Sequence, residues 1–236
     1  MSYSFLRSMD LTAMTAQNVQ KPRRPGRPSG SANGAEKREH LLDTALNLFA
    51  RQGIADTSLN AIARAAGVTP AMLHYYFHNR EQLLDVLIDE RFLPVRLAAG
   101  SVFDANADDP VAAFTQLAQR FIDISTEHPW FAPLWLREVM SDNGVLKQRM
   151  NERFGDTQRK SALQSITRWQ AEGKLHAGLE PSLLFITLFG MTLLPLATAP
   201  KWQRDDNNPL SPDVIARHAI TLLTHGLGPS SKSSIA

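Results

Sequence analysis

The chain has 236 residues, no cysteine and a formal net charge of +2. This length allows one large or two small domains, and 43% hydrophobic with 20% charged residues is typical of a soluble globular protein. The lack of cysteine excludes disulfides, thiolate metal sites and a thiol nucleophile, and it fits a reducing cytoplasm. Residues 1–20 lack a continuous apolar segment, so we expect no secretory signal and a cytoplasmic location.

The positive charge is concentrated in one part of the chain. Residues 21–80 hold nine Lys or Arg against four Asp or Glu, whereas residues 81–236 hold fifteen against eighteen. A local excess of this kind is typical of a surface that faces nucleic-acid phosphates.

Residues 1–35 are rich in Ser, Pro, Gly and Arg, which predicts a flexible basic N-terminal arm. Arg24 and Arg27 have two interpretations. Extended arginines can enter a narrow minor groove, as in an AT-hook. The alternative is a solvated basic tail. We favour the tail because Pro25 stands where the hook has its central arginine.

The next segments predict helices with clear start and stop signals. A first helix extends from about Ala35 to Gln52, with Lys37, Arg38 and His40 placed at its start to meet DNA backbone. A second begins after Thr57 or Ser58, either of which can cap it, and Gly67 ends it.

A third helix follows at once. Thr69 is a good cap, Pro70 suits the first helical position, and Asn79 caps the helix after it. The apolar pair Leu73 and Phe77 points inward. The outward residues are polar, small or aromatic: Thr69, Ala71, His74, Tyr75 and His78. Two helices joined by a glycine turn, the second with such an outer face, predict a helix-turn-helix that enters a major groove.

The stretch IARAAGVTPAMLHYYFHNREQLL, with GIADTSLNAIA before it, resembles the signature of the TetR family of bacterial transcriptional regulators over roughly residues 36–88. The resemblance implies an all-α protein: a helix-turn-helix domain at 36–82, a larger helical ligand-binding and dimerisation domain at 83–228, and a tail at 229–236. It implies a homodimer on a double-stranded DNA operator. His74 departs from the tyrosine usual in the family, and Arg80 stands where lysine is usual.

The predicted DNA contacts combine base readers, apolar contacts and residues that position the phosphate backbone. They are Ser58, Thr69, Pro70, Ala71, Met72, His74, Tyr75, Tyr76 and Arg80, together with Arg24 and Arg27 of the arm.

The rest of the chain predicts helices throughout. Pro94 must kink or end the helix that follows Asn79. A long polar helix is expected from Val145 to Glu172. The uncharged segment Pro181 to Ala199 has two interpretations, a membrane span or a buried helix. It is slightly short for a span and has no partner segment. We therefore expect it to be buried between subunits and expect no membrane.

The resembled family forms its dimer through its last long helices, which places Phe154, Ile166, Trp169, Leu183, Ile186, Gly190 and Leu193 at the interface. A second set of side chains can line a pocket for a small apolar or aromatic ligand. They are Phe92, Phe114, Phe121, Trp130, Trp135, Met140, Phe185 and Phe189. For any one of them, an ordinary place in the core is the alternative.

Motifs for other chemistry are missing from the sequence. His74 and His78 have metal-ligand spacing but no third ligand nearby, so we expect no metal. Neither G-x-G-x-x-G nor G-x-x-x-x-G-K nor G-x-S-x-G occurs, so we expect neither an enzyme nor a cofactor. The favoured function is a ligand-responsive repressor bound to a palindromic operator. The alternative is an architectural DNA binder with little sequence preference and no effector.

Overall fold

The computed structural model describes residues 30–141, 144–202 and 210–229. Within them the chain forms α-helices joined by short turns, and two of the joins are π-helical. The helices are α1 Gly30–Gln52, α2 Leu59–Ala65, α3 Pro70–Tyr76, α4 Arg80–Leu87, α5 Leu93–Ala105, α6 Pro110–Glu127, α7 Phe131–Leu134, α8 Val145–Phe154, α9 Thr157–Ala171, α10 Pro181–Met191, α11 Leu193–Trp202 and α12 Pro212–Gly226, with π-helices at Ile88–Phe92 and Trp135–Val139.

The predicted capping residues begin the helices of the N-terminal unit. The Ser58 hydroxyl accepts a hydrogen bond from the Ala61 amide at 3.1 Å, and the Thr69 hydroxyl accepts one from Met72 at 3.2 Å. Asn79 caps α4 in the same way. These bonds satisfy amides that have no partner inside the helix, so the prediction of three short capped helices is confirmed.

One continuous core joins the N-terminal unit to the rest of the chain. Phe49, Leu73 and Phe77 of the N-terminal unit are fully buried and belong to the same apolar cluster as Phe114 and Trp169. Helix α1 packs against α2 and also against α7, and α12 packs against α6. The N-terminal helices therefore sit on the larger helical part without a solvent gap.

Pro94 does not end the helix in which it lies. The segment Ile88–Phe92 is π-helical, and the Leu93 amide bonds the carbonyl of Ile88, five residues back. The α5 helix then continues through Pro94 to Ala105. The wider turn accommodates the missing proline N–H, so of the two predicted outcomes, a kink or a helix end, the helix end does not occur, and a π-turn precedes Pro94.

Three predicted helix boundaries also need correction. Helix α1 begins at Gly30 instead of Ala35. The long helix predicted from Val145 to Glu172 is two helices, because Gly155 adopts φ 60°, a left-handed conformation that breaks the hydrogen-bond ladder. The apolar segment is likewise divided into α10 and α11, with Thr192 between them.

The stretch Pro181–Thr198 is long and apolar enough to cross a membrane, with a mean hydropathy of 1.7. This is weak evidence, because the core helix of a soluble protein meets the same criterion.

Candidate DNA-reading face and its link to the helical domain

Helix α3 buries one side and opens the other to solvent. Leu73 and Phe77 are each only 1% exposed, whereas Tyr75 is 78% exposed. The other exposed residues along it are Thr69, Pro70, Ala71, His74 and His78. The His74 ring nitrogen Nδ1 lies 3.2 Å from the His78 carbonyl oxygen, which orients that ring. The outer face thus presents hydroxyl, imidazole and methyl groups, the chemistry that reads base edges and phosphates.

The remaining predicted DNA contacts are less open. Met72, Tyr76 and Arg80 are half-buried. The Tyr76 ring packs edge-on against Tyr75 with centroids 5.2 Å apart, and Arg80 donates to the Ala55 carbonyl at 3.4 Å. Ser58 is exposed although its hydroxyl caps α2.

The two arginines of the basic arm, Arg24 and Arg27, lie outside the described residues. The structure therefore gives no place for the predicted minor-groove contacts.

Arg38 of α1, predicted to lie at the start of the helix and meet DNA backbone, is in the third turn and is not free to meet DNA. Its guanidinium donates to Glu90 at 2.8 Å and lies over the Phe77 ring, 5.7 Å from the centroid. The hydrogen bond from Arg38 lowers the pKa of the Glu90 carboxyl. Arg38 therefore ties α1 to the first π-helix, and Lys37 and His40 beside it stay exposed.

A buried carboxylate of the larger region touches the N-terminal unit, which sequence reasoning missed. Glu138 of the second π-helix is 5% exposed, and its Oε1 accepts a hydrogen bond from the Ile54 amide at 3.0 Å. Ile54 lies in the loop between α1 and α2. The only sequence signal is a charged Arg137–Glu138 pair inside an otherwise apolar stretch, which by itself predicts a solvated surface.

Ion pairs make a second link between the two parts. Arg149 of α8 donates to both carboxylate oxygens of Asp85 on α4 at 2.9 Å, and Arg153 donates to Asp89 at 2.6 Å. The hydrogen bond from Arg149 is the main cause that lowers the pKa of the Asp85 carboxyl. Helix α4 is thus held ionically from the side opposite its buried leucines.

The predicted pocket residues other than Met140 belong to the main apolar core or pack against it: Phe92, Phe114, Phe121 and Trp130 are buried, and Trp135, Phe185 and Phe189 are half-buried. Phe121 packs against Phe189 at 5.3 Å and Trp135 against Phe189 at 5.6 Å between ring centroids. The same kind of contact joins Phe92 to Trp130 and Phe114 to Phe185. Met140 does not join them, since it ends the π-helix and is 38% exposed.

The Trp135 indole N–H is buried among these rings without a hydrogen-bond partner in the described part of the chain. A surface cavity lies elsewhere in the described part of the chain. It is an open groove of about 270 Å³ between α5 and α6, and it is lined by Ala98, Ser101, Val102, Gln116, Gln119, Arg120 and Asp123. None of the predicted pocket residues lines it.

The predicted dimer residues fall into three groups: buried, half-buried and exposed. Ile166, Trp169 and Leu193 are 0% exposed within one chain, so placing them at a subunit surface is wrong: they pack inside their own subunit. Phe154 is half-buried beneath the guanidinium of Arg96.

Leu183 and Ile186, by contrast, are 53% and 54% exposed, and a side chain at Gly190 would meet nothing within 4 Å. Leu194, which lies inside the predicted interface segment, and Leu222, which was not predicted, are further apolar residues at 47% and 49% exposure on the neighbouring helices α11 and α12. We name Leu183, Ile186, Gly190, Leu194 and Leu222 the outer apolar face.

Across the described ranges, no group of three His, Asp or Glu side chains is placed to hold a metal ion.

Comparison with known proteins identifies both parts of the chain. Residues 41–87 match the family model described as bacterial regulatory proteins, tetR family, and residues 90–194 match the C-terminal region of YcdC-like proteins. The HTH-type transcriptional regulator RutR of Escherichia coli K12 is 30% identical over 160 residues, which cover 66% of this chain and 72% of RutR.

Two solved structures share the architecture. NalD of Pseudomonas aeruginosa, the secondary repressor of the MexAB-OprM multidrug efflux pump, is 25% identical with a TM-score of 0.56, covering 84% of this chain and 98% of NalD. The ketosteroid regulator KstR2 of Mycobacterium tuberculosis reaches a TM-score of 0.62 at 19% identity, covering 82% and 96%, which shows the fold alone.

Proposed function

The chain belongs to the TetR family of bacterial transcriptional regulators, and we propose that it is a ligand-responsive repressor that binds a palindromic operator as a homodimer. The relatives are regulators and not enzymes. One of them, NalD, is the secondary repressor of a multidrug efflux pump, which supports the direction of regulation proposed here. We place its action in the cytoplasm, where the operator is.

The observation that carries the proposal is the open face of α3. Helix α3 has seven residues, with Leu73 on its buried side and Tyr75 and His74 on its outer side, and in the described part of the chain no other helix covers that outer side. Inserted in a major groove, Tyr75, His74 and Thr69 read base edges or phosphates, while Ala71 and Met72 contact thymine methyl groups. Ser58, Tyr76 and Arg80 then position the backbone.

The outer apolar face supports the dimer. Leu183, Ile186 and Gly190 recur at i, i+3 and i+7, which puts them on one side of α10. Open leucine and isoleucine side chains at helical spacing are favoured when a second apolar surface covers them. Pairing two copies there sets the two α3 helices about one DNA turn apart, roughly 34–36 Å, for two symmetric half-sites.

The aromatic cluster around Trp135 supports a ligand site. Phe121, Phe189 and Trp135 offer flat apolar surface, and the unpartnered Trp135 N–H offers one hydrogen bond. A buried donor without an acceptor costs free energy that an acceptor on a ligand would recover. We therefore propose a small apolar or aromatic ligand that carries a hydrogen-bond acceptor.

Ligand binding would act on DNA through the joint between the two parts. The π-helix that carries Trp135 also carries Glu138, which touches the N-terminal unit. A ligand that loosens DNA binding by about 1–3 kcal/mol is itself loosened by DNA to the same extent, because the coupling free energy is reciprocal.

The test is binding of the purified protein to the intergenic DNA that flanks its own gene, across a salt series and with excess nonspecific competitor. We expect a footprint of two symmetric half-sites that survives the competitor. Binding removed entirely by the competitor, with a steep salt dependence, would contradict the operator proposal and favour the architectural alternative.

A further inference from the structure

We propose that Glu138 is a positioning residue for DNA binding: its carboxylate fixes the loop in front of the helix-turn-helix and so sets the orientation of α3 relative to the dimer. The inference rests on the proposed dimeric operator binding. We assign no DNA contact to Glu138. Its side chain is buried and bonds the α1–α2 loop.

The loop that Glu138 holds is itself well ordered by local bonds. The Thr57 hydroxyl donates to the Gly53 carbonyl at 2.6 Å and accepts from Gln52 at 3.0 Å. The Thr57 amide bonds the carbonyl of Ile54. Thr57 is 1% exposed, so this is a closed turn, and the next residue along the chain is Ser58, the cap of α2. A displacement of the Ile54 backbone would therefore also displace Ser58 and the start of the helix-turn-helix.

Gly53 lets the loop come close to the second π-helix. Its φ is 91°, a conformation that favours glycine. A Cβ at Gly53 would lie 3.5 Å from the Arg137 side chain and 3.7 Å from Glu138 Oε1. A side chain at Gly53 would therefore reach van der Waals distance of the π-helix, so the loop passes close to that helix beside the Glu138–Ile54 hydrogen bond.

The π-helix is fixed from behind as well. A Cβ at Gly144 would lie 1.7 Å from the Glu138 carbonyl oxygen, so only glycine fits there. Gly144 therefore packs directly against the Glu138 backbone.

The carboxylate is retained at a cost, which argues for a role beyond packing. Glu138 Oε2 is buried without a hydrogen-bond partner in the described part of the chain. A buried carboxylate with one bond is less favourable than an apolar side chain of the same volume. If the side chain only filled this space, methionine or leucine would stabilise the fold more than glutamate does.

Fixing the loop matters most when two half-sites must be met at once. A dimer whose two α3 helices are already oriented loses less conformational freedom on a full operator than one whose heads can pivot. On a single half-site the pivot costs little, because one head adjusts freely. Loss of the Glu138 bond should therefore weaken full-operator binding more than half-site binding, whereas damage to the N-terminal unit would weaken both equally.

The experiment compares wild type, Glu138→Met and Glu138→Gln on DNA selected from a random pool by the wild-type protein and on a fragment carrying one half of that site. Methionine fills the volume without an acceptor, and glutamine keeps one oxygen for the Ile54 amide. Glu127→Met, at an exposed glutamate, is the matched control.

We expect Glu138→Met to weaken full-operator binding about ten- to hundredfold, the range of one hydrogen bond to a charged group, and to weaken half-site binding less than about threefold. Glu138→Gln and Glu127→Met should bind like wild type. In hydrogen exchange without DNA, the Ile54 amide should lose protection in Glu138→Met alone.

Equal weakening on both fragments, or full-operator binding by Glu138→Met at the wild-type level, would overturn the inference. A protected Ile54 amide in Glu138→Met would overturn it too. Failure of the proposed function is distinct: the wild-type protein itself would then select no DNA with two half-sites, whatever the exchange of Ile54.

Discussion

Helices α3 and α10 are alike in burial and opposite in chemistry. Each packs leucine side chains inward, Leu73 in α3 and Leu184 and Leu188 in α10. The outward residues of α3 are polar, small or aromatic, and Tyr75 is 78% exposed. Those of α10 include two large apolar side chains, Leu183 and Ile186, each more than half exposed, beside the smaller Ser182 and Thr187.

The difference indicates which kind of partner surface each face can bind. Polar groups that are already hydrated can be exchanged for contacts to a hydrated, charged partner such as DNA. Apolar side chains gain most when another apolar surface removes them from water. Burial alone would treat the two helices as equivalent, and only the chemistry of the open side separates a DNA-reading face from a subunit interface.

Truncating a buried apolar side chain should have the largest effect on stability. Phe77→Ala in the N-terminal unit should lower the free energy of unfolding by about 3–5 kcal/mol, because it leaves a cavity where a ring is 1% exposed. Chemical denaturation measures it. Tyr75→Ala is the control and should change stability by no more than about 0.5 kcal/mol, since its side chain is in solvent. Similar losses in the two variants would contradict the burial pattern of α3.

A charge on the open side of α10 tests the subunit interface. Gly190→Asp should raise the dimer dissociation constant at least about 100-fold, because an unpaired carboxylate would be buried between apolar surfaces. Sedimentation velocity measures the change. Nothing inside the subunit opposes a side chain at this position, so the monomer should stay folded.

Leu97→Asp is the matched control for that variant, since Leu97 is an exposed apolar residue on α5. It should remain dimeric. A Gly190→Asp protein that sediments as a dimer would remove α10 from the proposed interface.

A smaller change tests the open side of α3. Tyr75→Phe should weaken operator binding up to about tenfold, the effect of one lost hydrogen bond of about 0.5–1.5 kcal/mol. Dimerisation and thermal stability should match wild type, because the hydroxyl is in solvent. Fluorescence anisotropy with the footprinted fragment measures the affinity. A folded variant with unchanged affinity would remove the Tyr75 hydroxyl from the proposed contacts.

The smallest expected effect concerns the ion pair between Asp85 of α4 and Arg149 of α8. Arg149 lowers the pKa of Asp85, so the pair stabilises the fold above the ordinary carboxyl range near pH 4 and this contribution is lost as the pH falls through the lowered pKa. Wild type should unfold at a slightly higher temperature than Asp85→Asn at pH 7, and the difference should vanish in acid. A difference that grows in acid would contradict the pair's sign.

Local signals were enough to predict the N-terminal unit. Ser58, Thr69 and Asn79 cap their helices through bonds to amides three residues ahead, and Gly67 closes α2 at φ 67°. These bonds depend on a few neighbouring residues. The exposed face of α3 followed from the same periodicity, because Leu73 and Phe77 fix which side is inside.

The larger region was less predictable because its contacts join distant positions. Trp169 has the composition of an interface residue, yet its indole donates to the Ala107 carbonyl and its ring stacks on Phe103 inside one subunit. The outward Leu222 is equally apolar but lies on the other side of α12 from the core. Periodicity cannot say which of two apolar surfaces is covered by the chain's own helices.

The sequence by itself determined the all-helical class, the capped helix-turn-helix and the face that α3 leaves open, since all three depend on contacts within a few residues. Tertiary structure decided the π-turn before Pro94, the break at Gly155, the outer apolar face and the Glu138–Ile54 bond. Ile54 and Glu138 are 84 residues apart, and only packing of α1 against α7 brings them together.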